Sequence, residues 1–235
     1  MKKFITRVVT EIEIKALLVS LLFIVCLFAF GYLAHEIMGE NETAFDEKTF
    51  HFFAGFSSPR FISINRVITF FGASYFSIPA YIILLLILFL SGRKTDGINI
   101  AIIAVTSTAL MFGLKEFFHR KRPDLPVIRT LDNFSFPSGH ALSSFIFCSV
   151  LVYLVWKGGL KNTWKWILSV LLILFSVCIG ISRIVLRYHY ASDVIAGFCL
   201  ALAWVIFSLW LERKLTSRKT ELQLDTGNRS GLNAS

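Results

Sequence analysis

Residues 194–211 read VIAGFCLALAWVIFSLWL, a run of 18 residues without a charge. A transmembrane helix needs about 20 mostly apolar residues, so this run is long enough to cross a bilayer. Lipid offers no partners for backbone polar groups, and a spanning segment of this kind must therefore be helical. Five further runs are similarly apolar: residues 16–33, 75–90, 98–114, 141–156 and 164–181, of which only the last contains a charged residue, Lys165. The sequence predicts an all-α membrane protein with six transmembrane helices.

The overall composition agrees with this fold class. Of the 235 residues, 55% are apolar or aromatic and 17% are charged, against about 45–50% and about 25% in a soluble domain. These values exclude a soluble enzyme and a disordered chain. The net charge of +9 does not indicate a nucleic-acid partner, because basic residues in membrane proteins concentrate in cytoplasmic loops.

The basic residues also predict an orientation. If the six helices alternate from a cytoplasmic N-terminus, the cytoplasmic side receives 14 of the 24 basic residues and six of the 15 acidic ones. The opposite side, with the remaining ten basic and nine acidic residues, is nearly neutral. Both termini are therefore predicted to be cytoplasmic, in a multi-pass protein of the cell (inner or cytoplasmic) membrane.

Two segments lie outside the six helices. In the outer segment 35–72, Ile64, Val67, Ile68 and Phe71 recur at helical spacing, which predicts an amphipathic helix at the membrane surface between the first two spans. Residues 213–235 are polar and predict a disordered cytoplasmic tail. The sequence thus predicts one membrane domain, residues 1–212, followed by this tail.

Polar and charged residues concentrate at the outer ends of the last four helices. Ionisable side chains at membrane depth are energetically expensive, and their presence indicates a functional site. The residues concerned are Lys115, Arg122, Ser138, His140, Ser182, Arg183, His189 and Asp193.

The cations in this group suit a phosphate ester. Lys115 offers a mobile charge, while the planar guanidinium groups of Arg122 and Arg183 can each bind two phosphate oxygens. Pro123 disfavours helix at Arg122, so this side chain is expected in a loop.

The start of the fourth helix offers further donors. Pro137 suits the first turn of a helix and would place the N–H groups of Ser138 and Gly139 at its positive end. Glycine at position 139 also lets an anion approach the backbone closely. The Ser138 hydroxyl can add one more donor to a bound phosphate.

A histidine and an aspartate provide the elements of nucleophilic catalysis. His189 and Asp193 are four residues apart and share a helical face if the sixth helix begins near Arg187. The carboxylate can then hold one imidazole N–H and leave the other nitrogen as a nucleophile. His140, on a different helix, can protonate the leaving alkoxide.

Three motifs contain these residues. Residues 115–123 fit K-x6-R-P, residues 137–140 fit P-S-G-H, and residues 182–193 fit S-R-x5-H-x3-D. In this order, within a core spanning residues 70–211, they resemble the signature of the type 2 phosphatidic acid phosphatase family, integral-membrane lipid phosphate phosphatases. The resemblance implies that His189 attacks phosphorus, that a phosphohistidine forms, and that water then releases phosphate. It also adds Ser182 to the phosphate-binding set and implies that no metal or other cofactor is required.

Other polar residues are expected to have different roles. The four cysteines lie in apolar runs without zinc-site spacing and are expected to pack as small apolar residues. Asp124 and Asp132 are the carboxylates that a metal site in the motif region would have to use. His35, His51 and His119 are expected in loops or at the interface, and Arg120, Lys121, Arg129 and Arg187 are expected to contact headgroups rather than to act in catalysis.

The sequence therefore predicts an enzyme that removes phosphate from a lipid phosphomonoester or pyrophosphate, with its site on the periplasmic or extracellular side. Undecaprenyl pyrophosphate and phosphatidylglycerophosphate are the first substrate candidates, and phosphatidic acid and lipid A phosphates are alternatives. A transporter that merely binds an anion is disfavoured, because transporters place polar groups near the midplane and interrupt their spans with Gly or Pro. Here Pro79 is the only proline inside a span.

Overall fold

The long apolar segments are helical, as backbone groups in lipid require. The computed structural model describes residues 2–39, 43–124, 126–127 and 132–232, and all regular secondary structure in these ranges is α-helical. The eight helices are α1 (Lys2–Gly39), α2 (Ala44–Ala54), α3 (Pro59–Phe70), α4 (Ser74–Leu90), α5 (Lys94–Phe118), α6 (Gly139–Lys157), α7 (Asn162–Val185) and α8 (Ala191–Leu232).

Six helical segments in the described part of the chain are long and apolar enough to cross a membrane, which confirms the predicted number. Large apolar side chains on these segments point away from the protein, and Leu90, for example, is 87% exposed. Apolar surface of this extent is favourable only against lipid, so the chain is a multi-pass membrane protein. The segments are Ile14–Gly39, Pro59–Leu90, Lys94–Phe118, Gly139–Lys157, Asn162–Val185 and Ala191–Leu215.

The second of these segments consists of two helices, α3 and α4, separated by a break at residues 71–73. The predicted helical spacing falls largely within α3, whose apolar face points outward: Val67 is 63% exposed, whereas Asn65 and Thr69 are buried. A helix beside lipid turns its polar side toward the protein, which reverses the usual arrangement. Because α3 packs against α7, Thr69 reaches the interior. An orientation of this segment along the membrane surface stays a prediction.

Helices α6, α7 and α8 form the centre of the bundle, and α1 packs along α8. Leu142 of α6 is buried together with Leu200 of α8. Glycine at position 197 lets α8 approach the start of α6, because a Cβ there would lie 2.9 Å from the Ser138 carbonyl oxygen. This close approach holds the N-terminus of α6 against the first turns of α8.

A polar cluster ties the helices together at the other end of the bundle. Lys157 Nζ lies 2.7 Å from Asp96 Oδ1, and the Tyr153 hydroxyl lies 3.2 and 3.0 Å from carboxylate oxygens of Asp96 and Glu212. At 1.5 Å per residue, Asp96 lies about 28 Å along α5 from Lys115. The cluster fixes α5, α6 and α8 relative to one another, well away from the motif residues.

Helix α8 continues beyond its apolar segment. Its backbone is helical as far as Leu232, whereas the composition predicts a disordered tail from residue 213 onward. Glutamate, lysine, arginine, leucine and glutamine dominate residues 212–224, and these strong helix formers allow the membrane helix to propagate. Residues 233–235 of the predicted tail lie outside the described residues. A domain boundary near residue 212 stays a prediction.

Replacement of Gly197 tests the contact between α6 and α8. In Gly197→Ala the added methyl group would lie 2.9 Å from a backbone oxygen, which cannot move without shifting α6. We expect a loss of about 1–3 kcal/mol in the free energy of unfolding, measured by thermal unfolding in detergent. Gly113→Ala is the matched control, since nothing lies within 4 Å of its added methyl group. Equal melting temperatures for the two variants would contradict the packing argument.

Candidate active site

The loop between α5 and α6 begins with a left-handed turn. His119 closes α5 with φ = 48°, and Arg122 follows in the loop, as Pro123 predicts. The Ser135 N–H donates to the Arg120 carbonyl oxygen at 2.8 Å. The loop therefore turns back on itself and brings its two ends together beneath the start of α6.

The start of α8 brings a histidine and an aspartate into contact. Asp193 Oδ2 accepts a hydrogen bond from the Tyr190 N–H at 3.0 Å, the return bond of a capping box at a helix N-terminus. His189 precedes the helix, because α8 begins at Ala191 and not near Arg187 as expected. Nevertheless, His189 Nδ1 lies 3.3 Å from Asp193 Oδ2. The turn before α8, rather than a shared helical face, brings His189 and Asp193 into contact.

The neighbouring groups determine which nitrogen of His189 carries its proton. Arg122 Nη1 lies 3.2 Å from Nε2. A guanidinium can only donate, so Nε2 accepts with its lone pair. Nδ1 lies 3.3 Å from both Asp193 Oδ2 and Ser135 Oγ and therefore carries the hydrogen. In this arrangement the imidazole is neutral, with its lone pair on Nε2.

The surroundings of His189 oppose its protonation. The side chain is 1% exposed, and its burial, together with the positive charges of Arg122 and Lys115, holds the pKa of His189 well below its usual range. Burial also lowers the pKa of Arg122, but a guanidinium remains charged near neutral pH. The imidazole is therefore neutral at pH values at which an exposed histidine is charged.

Asp193 is fully buried and surrounded by donors. Its Oδ2 accepts from the Ser135 hydroxyl as well as from the Tyr190 N–H, and its Oδ1 accepts from Arg120 Nη1 at 2.6 Å. A buried carboxylate is very unfavourable without such partners. Neither Ser135 nor Arg120 is predicted from the sequence as a partner of Asp193.

Arg120 connects Asp193 to a second buried carboxylate. Its Nη2 lies 2.8 Å from Oδ2 of Asp46 in α2, and Arg120 is 3% exposed. Asp46 also accepts hydrogen bonds from the Ser192 N–H and hydroxyl at 2.9 and 2.7 Å. The expectation that Arg120 contacts headgroups is wrong, because its guanidinium is buried between two carboxylates. Asp46 is 74 residues away in sequence, so no local pattern connects the two.

Two further motif cations come from α5 and α7. Lys115 is buried, and its Nζ donates to the carbonyl oxygens of Phe134 and Ser135 at 2.6 and 3.2 Å. Arg183 is also buried, and its Nη1 donates to the hydroxyl of Thr69 in α3 at 2.9 Å. The polar face of α3 thus contributes directly to the motif region.

The residues of the three motifs lie side by side. Lys115 and Arg122 both donate to the Phe134 carbonyl oxygen, and the Arg183 guanidinium lies 4.2 Å from the centre of the Tyr188 ring, next to His189. His140 lies two residues after Ser138, whose N–H donates to the Asp193 carbonyl oxygen. The structure therefore brings these residues together, although they come from three separate motifs.

Glycines make room beside His140 and Lys115. A Cβ at Gly72, in the break between α3 and α4, would lie 2.9 Å from His140 Cδ2. A Cβ at Gly139, the first residue of α6, would lie 4.0 Å from Lys115 Cε. The backbone thus comes close to both side chains, and a role of Gly139 in binding phosphate stays a prediction.

The two motif serines form hydrogen bonds within the protein. Ser138 is the N-cap of α6, and its hydroxyl accepts from the Ala141 N–H at 3.5 Å. The Ser138 N–H, which was expected to face a phosphate, instead donates to the Asp193 carbonyl oxygen at 3.0 Å. The Ser182 hydroxyl donates to the Ile179 carbonyl oxygen at 2.6 Å within α7. Ser138 thus caps α6, the Ser182 hydroxyl is bonded within α7, and phosphate binding by either serine stays a prediction.

The remaining candidates lie outside this group. Arg187 is half-buried, with its guanidinium 4.6 Å from the centre of the Phe50 ring. Arg129 lies outside the described residues. Among the described residues, no three His, Cys, Asp or Glu side chains come together as a metal site. The exposed candidates are His35, His51, His119, Lys121, Asp124 and Asp132.

An imidazole lone pair among buried cations is suited to accepting and releasing a phosphoryl group, since the cations stabilise charge on the phosphate oxygens. Here this arrangement lies at one end of a bundle of six membrane-spanning segments. The fold and the site define the class of integral-membrane phosphatases.

Comparison with known proteins identifies the family. The family described as "PAP2 superfamily" matches residues 96–217, more than half of the chain, and the chain belongs to it. Phosphatidylglycerophosphatase B of Bacillus subtilis (strain 168) is 32% identical over 136 residues, which are 57% of this chain and 67% of that protein.

Two solved structures have the same fold. The crystal structure of the first transmembrane PAP2 type phosphatidylglycerolphosphate phosphatase from Bacillus subtilis matches with a TM-score of 0.74 and 27% identity, over 82% of this chain and 96% of that one. Aquifex aeolicus LpxE matches with a TM-score of 0.59 and 26% identity, over 72% of this chain and 98% of that one. The chain is thus an enzyme, a phosphoric ester hydrolase.

The electrostatics of His189 predict the pH dependence of this enzyme. Because the charge of Arg122 lowers the pKa of His189, Arg122→Gln should raise that pKa. The acidic limb of kcat/KM should then move to higher pH. The measurement compares both enzymes on the same phosphomonoester, so that ionisation of the substrate affects them equally. Lys121→Gln, which removes an exposed charge from the same loop, is the control. Superimposable limbs for wild type and Arg122→Gln would exclude this electrostatic coupling.

Proposed function

We propose that this protein is a lipid phosphate phosphatase that removes the terminal phosphate from a lipid phosphomonoester or pyrophosphate. The observation that carries the proposal is the neutral His189, whose Nε2 lies 3.2 Å from Arg122 Nη1 at the end of membrane helices. A site in this position suits a substrate that diffuses within the bilayer and presents its phosphate at the surface.

In the first step of the proposed reaction, the Nε2 lone pair of His189 attacks phosphorus. The bond from phosphorus to the leaving oxygen breaks, and a phosphohistidine forms. Asp193 holds the Nδ1 hydrogen and stabilises the positive charge that develops on the imidazole. His140 donates a proton to the leaving oxygen as general acid.

In the second step, water attacks the phosphohistidine. His140, which lost its proton in the first step, accepts a proton from this water as general base. The bond from Nε2 to phosphorus breaks, inorganic phosphate leaves, and His189 returns to its neutral form. Each histidine thus ends the cycle in the protonation state in which it began.

Charge on the phosphate oxygens is stabilised by Lys115, Arg122 and Arg183. The Arg122 N–H that faces Nε2 can transfer its hydrogen bond to a phosphate oxygen when the lone pair attacks. The backbone of Gly139 at the positive end of α6 adds to this field. The hydroxyls of Ser138 and Ser182 act indirectly, by holding the helix termini that carry these groups.

The relatives indicate which substrate to test first. Phosphatidylglycerophosphatase B is named for phosphatidylglycerophosphate, and the similarity in fold over 82% of this chain supports the same substrate here. Undecaprenyl pyrophosphate is the next candidate, followed by phosphatidic acid and lipid A phosphates. All of them present a phosphate beside an apolar chain.

The charge distribution supports a location in the cell membrane with both termini in the cytoplasm. With this orientation the Asp96 cluster lies at the cytoplasmic end of the bundle. His189 and the motif cations then lie at the periplasmic or extracellular end, where they meet lipids of the outer leaflet.

A phosphate-release panel tests the function. Purified protein should hydrolyse phosphatidylglycerophosphate, undecaprenyl pyrophosphate or phosphatidic acid in mixed micelles faster than the soluble ester glucose 6-phosphate. His189→Ala should reduce release by about 10³-fold or more, because it removes the nucleophile. His35→Ala, at an exposed histidine of α1, should leave the rate unchanged. No release from any lipid phosphate, or equal rates for wild type and His189→Ala, would overturn the proposal.

The proposed chemistry also predicts the effect of chelation. Because Lys115, Arg122 and Arg183 supply the positive charge at phosphorus, activity should persist in excess EDTA. The measurement is the rate on one lipid phosphate before and after dialysis against EDTA, with and without added Mg²⁺. Loss of activity that Mg²⁺ restores would contradict the assignment of this charge to side chains.

A further inference from the structure

We propose that Asp46 and Arg120 are positioning residues of this phosphatase, which hold Asp193 in the orientation that lets it hold His189. The proposal rests on the proposed roles of His189 and Asp193. It assigns a part in catalysis to α2, a helix outside the three motifs, and to an arginine that is not among the cations assigned to the phosphate.

The contacts form a continuous chain from α2 to the nucleophile. Asp46 Oδ2 lies 2.8 Å from Arg120 Nη2, and Arg120 Nη1 lies 2.6 Å from Asp193 Oδ1. The other carboxylate oxygen, Oδ2, lies 3.3 Å from His189 Nδ1. The Arg120 guanidinium therefore binds the carboxylates of both Asp46 and Asp193. One oxygen of Asp193 contacts Arg120, and the other contacts the imidazole of His189.

This geometry constrains the plane of the Asp193 carboxylate. A guanidinium is planar and donates in fixed directions, so a bond to Oδ1 limits rotation of the carboxylate about its own axis. The Arg120 guanidinium is itself held, because it lies 4.1 Å from the centre of the Tyr190 ring and donates to Ser192 Oγ at 2.7 Å. Rotation of the carboxylate would move Oδ2 away from Nδ1 and release the imidazole.

Asp46 in turn fixes Arg120. Its carboxylate accepts from the hydroxyl of Thr43, the N-cap of α2, at 3.0 Å. It also accepts from the backbone N–H of Ser192 in the first turn of α8 at 2.9 Å, a donor that has no partner within its own helix. Asp46 thus attaches α2 to the same helix terminus that carries Asp193. Without it, Arg120 Nη2 would lose a charged partner in a buried site, which is costly.

The contacts of Asp46 connect it to the residues that orient the nucleophile and not to those assigned to phosphate binding. In the part of the chain that the structure describes, its side-chain hydrogen bonds go to Thr43, Arg120 and Ser192. None goes to the cations assigned to the phosphate. Loss of Asp46 should therefore lower kcat and leave substrate binding nearly unchanged.

The first test is Asp46→Asn, which keeps the size of the side chain and removes its charge. We expect kcat on phosphatidic acid in mixed micelles to fall by about 10- to 100-fold, as misorientation of a reacting group commonly causes. KM and the inhibition constant of inorganic phosphate should change by less than about threefold, since uniform binding is retained. Glu47→Gln is the matched control, an exposed carboxylate on the next residue of α2, and should keep the wild-type kcat.

A double variant shows whether Asp46 acts through Arg120. Arg120→Gln should lower kcat at least as much as Asp46→Asn. The combination of the two should be no slower than Arg120→Gln alone, because the link is already broken. Additive losses, or an increase in KM and in the phosphate inhibition constant that matches the loss in kcat, would overturn the positioning role.

Arg120→Lys keeps the test decisive if Asp46→Asn does not yield folded, monodisperse protein. A lysine retains the buried positive charge but cannot bridge two carboxylates with fixed geometry. A wild-type kcat in this variant would overturn the proposal. Failure of the proposed function is recognised separately, since His189→Ala would then hydrolyse lipid phosphates as fast as wild type.

Discussion

A carboxylate that is sealed from water needs donors for its lone pairs, and the buried Asp193 draws them from separate parts of the chain. Arg120 and Ser135 come from the two ends of the loop between α5 and α6, and the Tyr190 N–H comes from the turn before α8. Loss of one partner of a buried charge is strongly destabilising. The loop and the start of α8 therefore cannot move independently, and the requirements of a single carboxylate determine how the motif-bearing segments meet.

The need of buried polar groups for hydrogen-bond partners also explains why the polar residues lie where helices begin. The N-termini of α6 and α8 meet because the Ser138 N–H donates to the Asp193 carbonyl oxygen at 3.0 Å, and Gly197 permits this approach. A helix N-terminus carries partial positive charge, so both helices favour an anion at this end of the bundle. A membrane helix cannot offer unpaired polar groups along its length. The polar residues of the site are thus confined to the helix ends, and the apolar spanning parts of the helices hold these ends in place.

The sequence predicts local features of this protein well and long-range contacts poorly. The six spans, the loop position of Arg122 and the contact between His189 and Asp193 follow from apolar length, from Pro123 and from short spacing, and the structure contains all three. Periodicity places Ile64 and Val67 on one face of α3 but does not reveal that this face points away from the protein. The contacts of Asp46 with Arg120 and Ser192 bridge distant parts of the chain, and nothing in the local sequence distinguishes Asp46 from the other acidic residues of the outer segment.

Residues 120–122 show why residue type alone does not assign a role at such a site. Arg120 is buried between two carboxylates, so its charge is neutralised behind His189. Lys121 is exposed. Arg122 donates to the carbonyl oxygens of Asn133 and Tyr188 and, within the described residues, has no ion pair, so its positive charge is not cancelled by a carboxylate. A neutral acceptor fixes the direction of a guanidinium without removing its attraction for phosphate. The partner of each cation, rather than its residue type, decides whether its charge is cancelled within the protein or remains available to an anion.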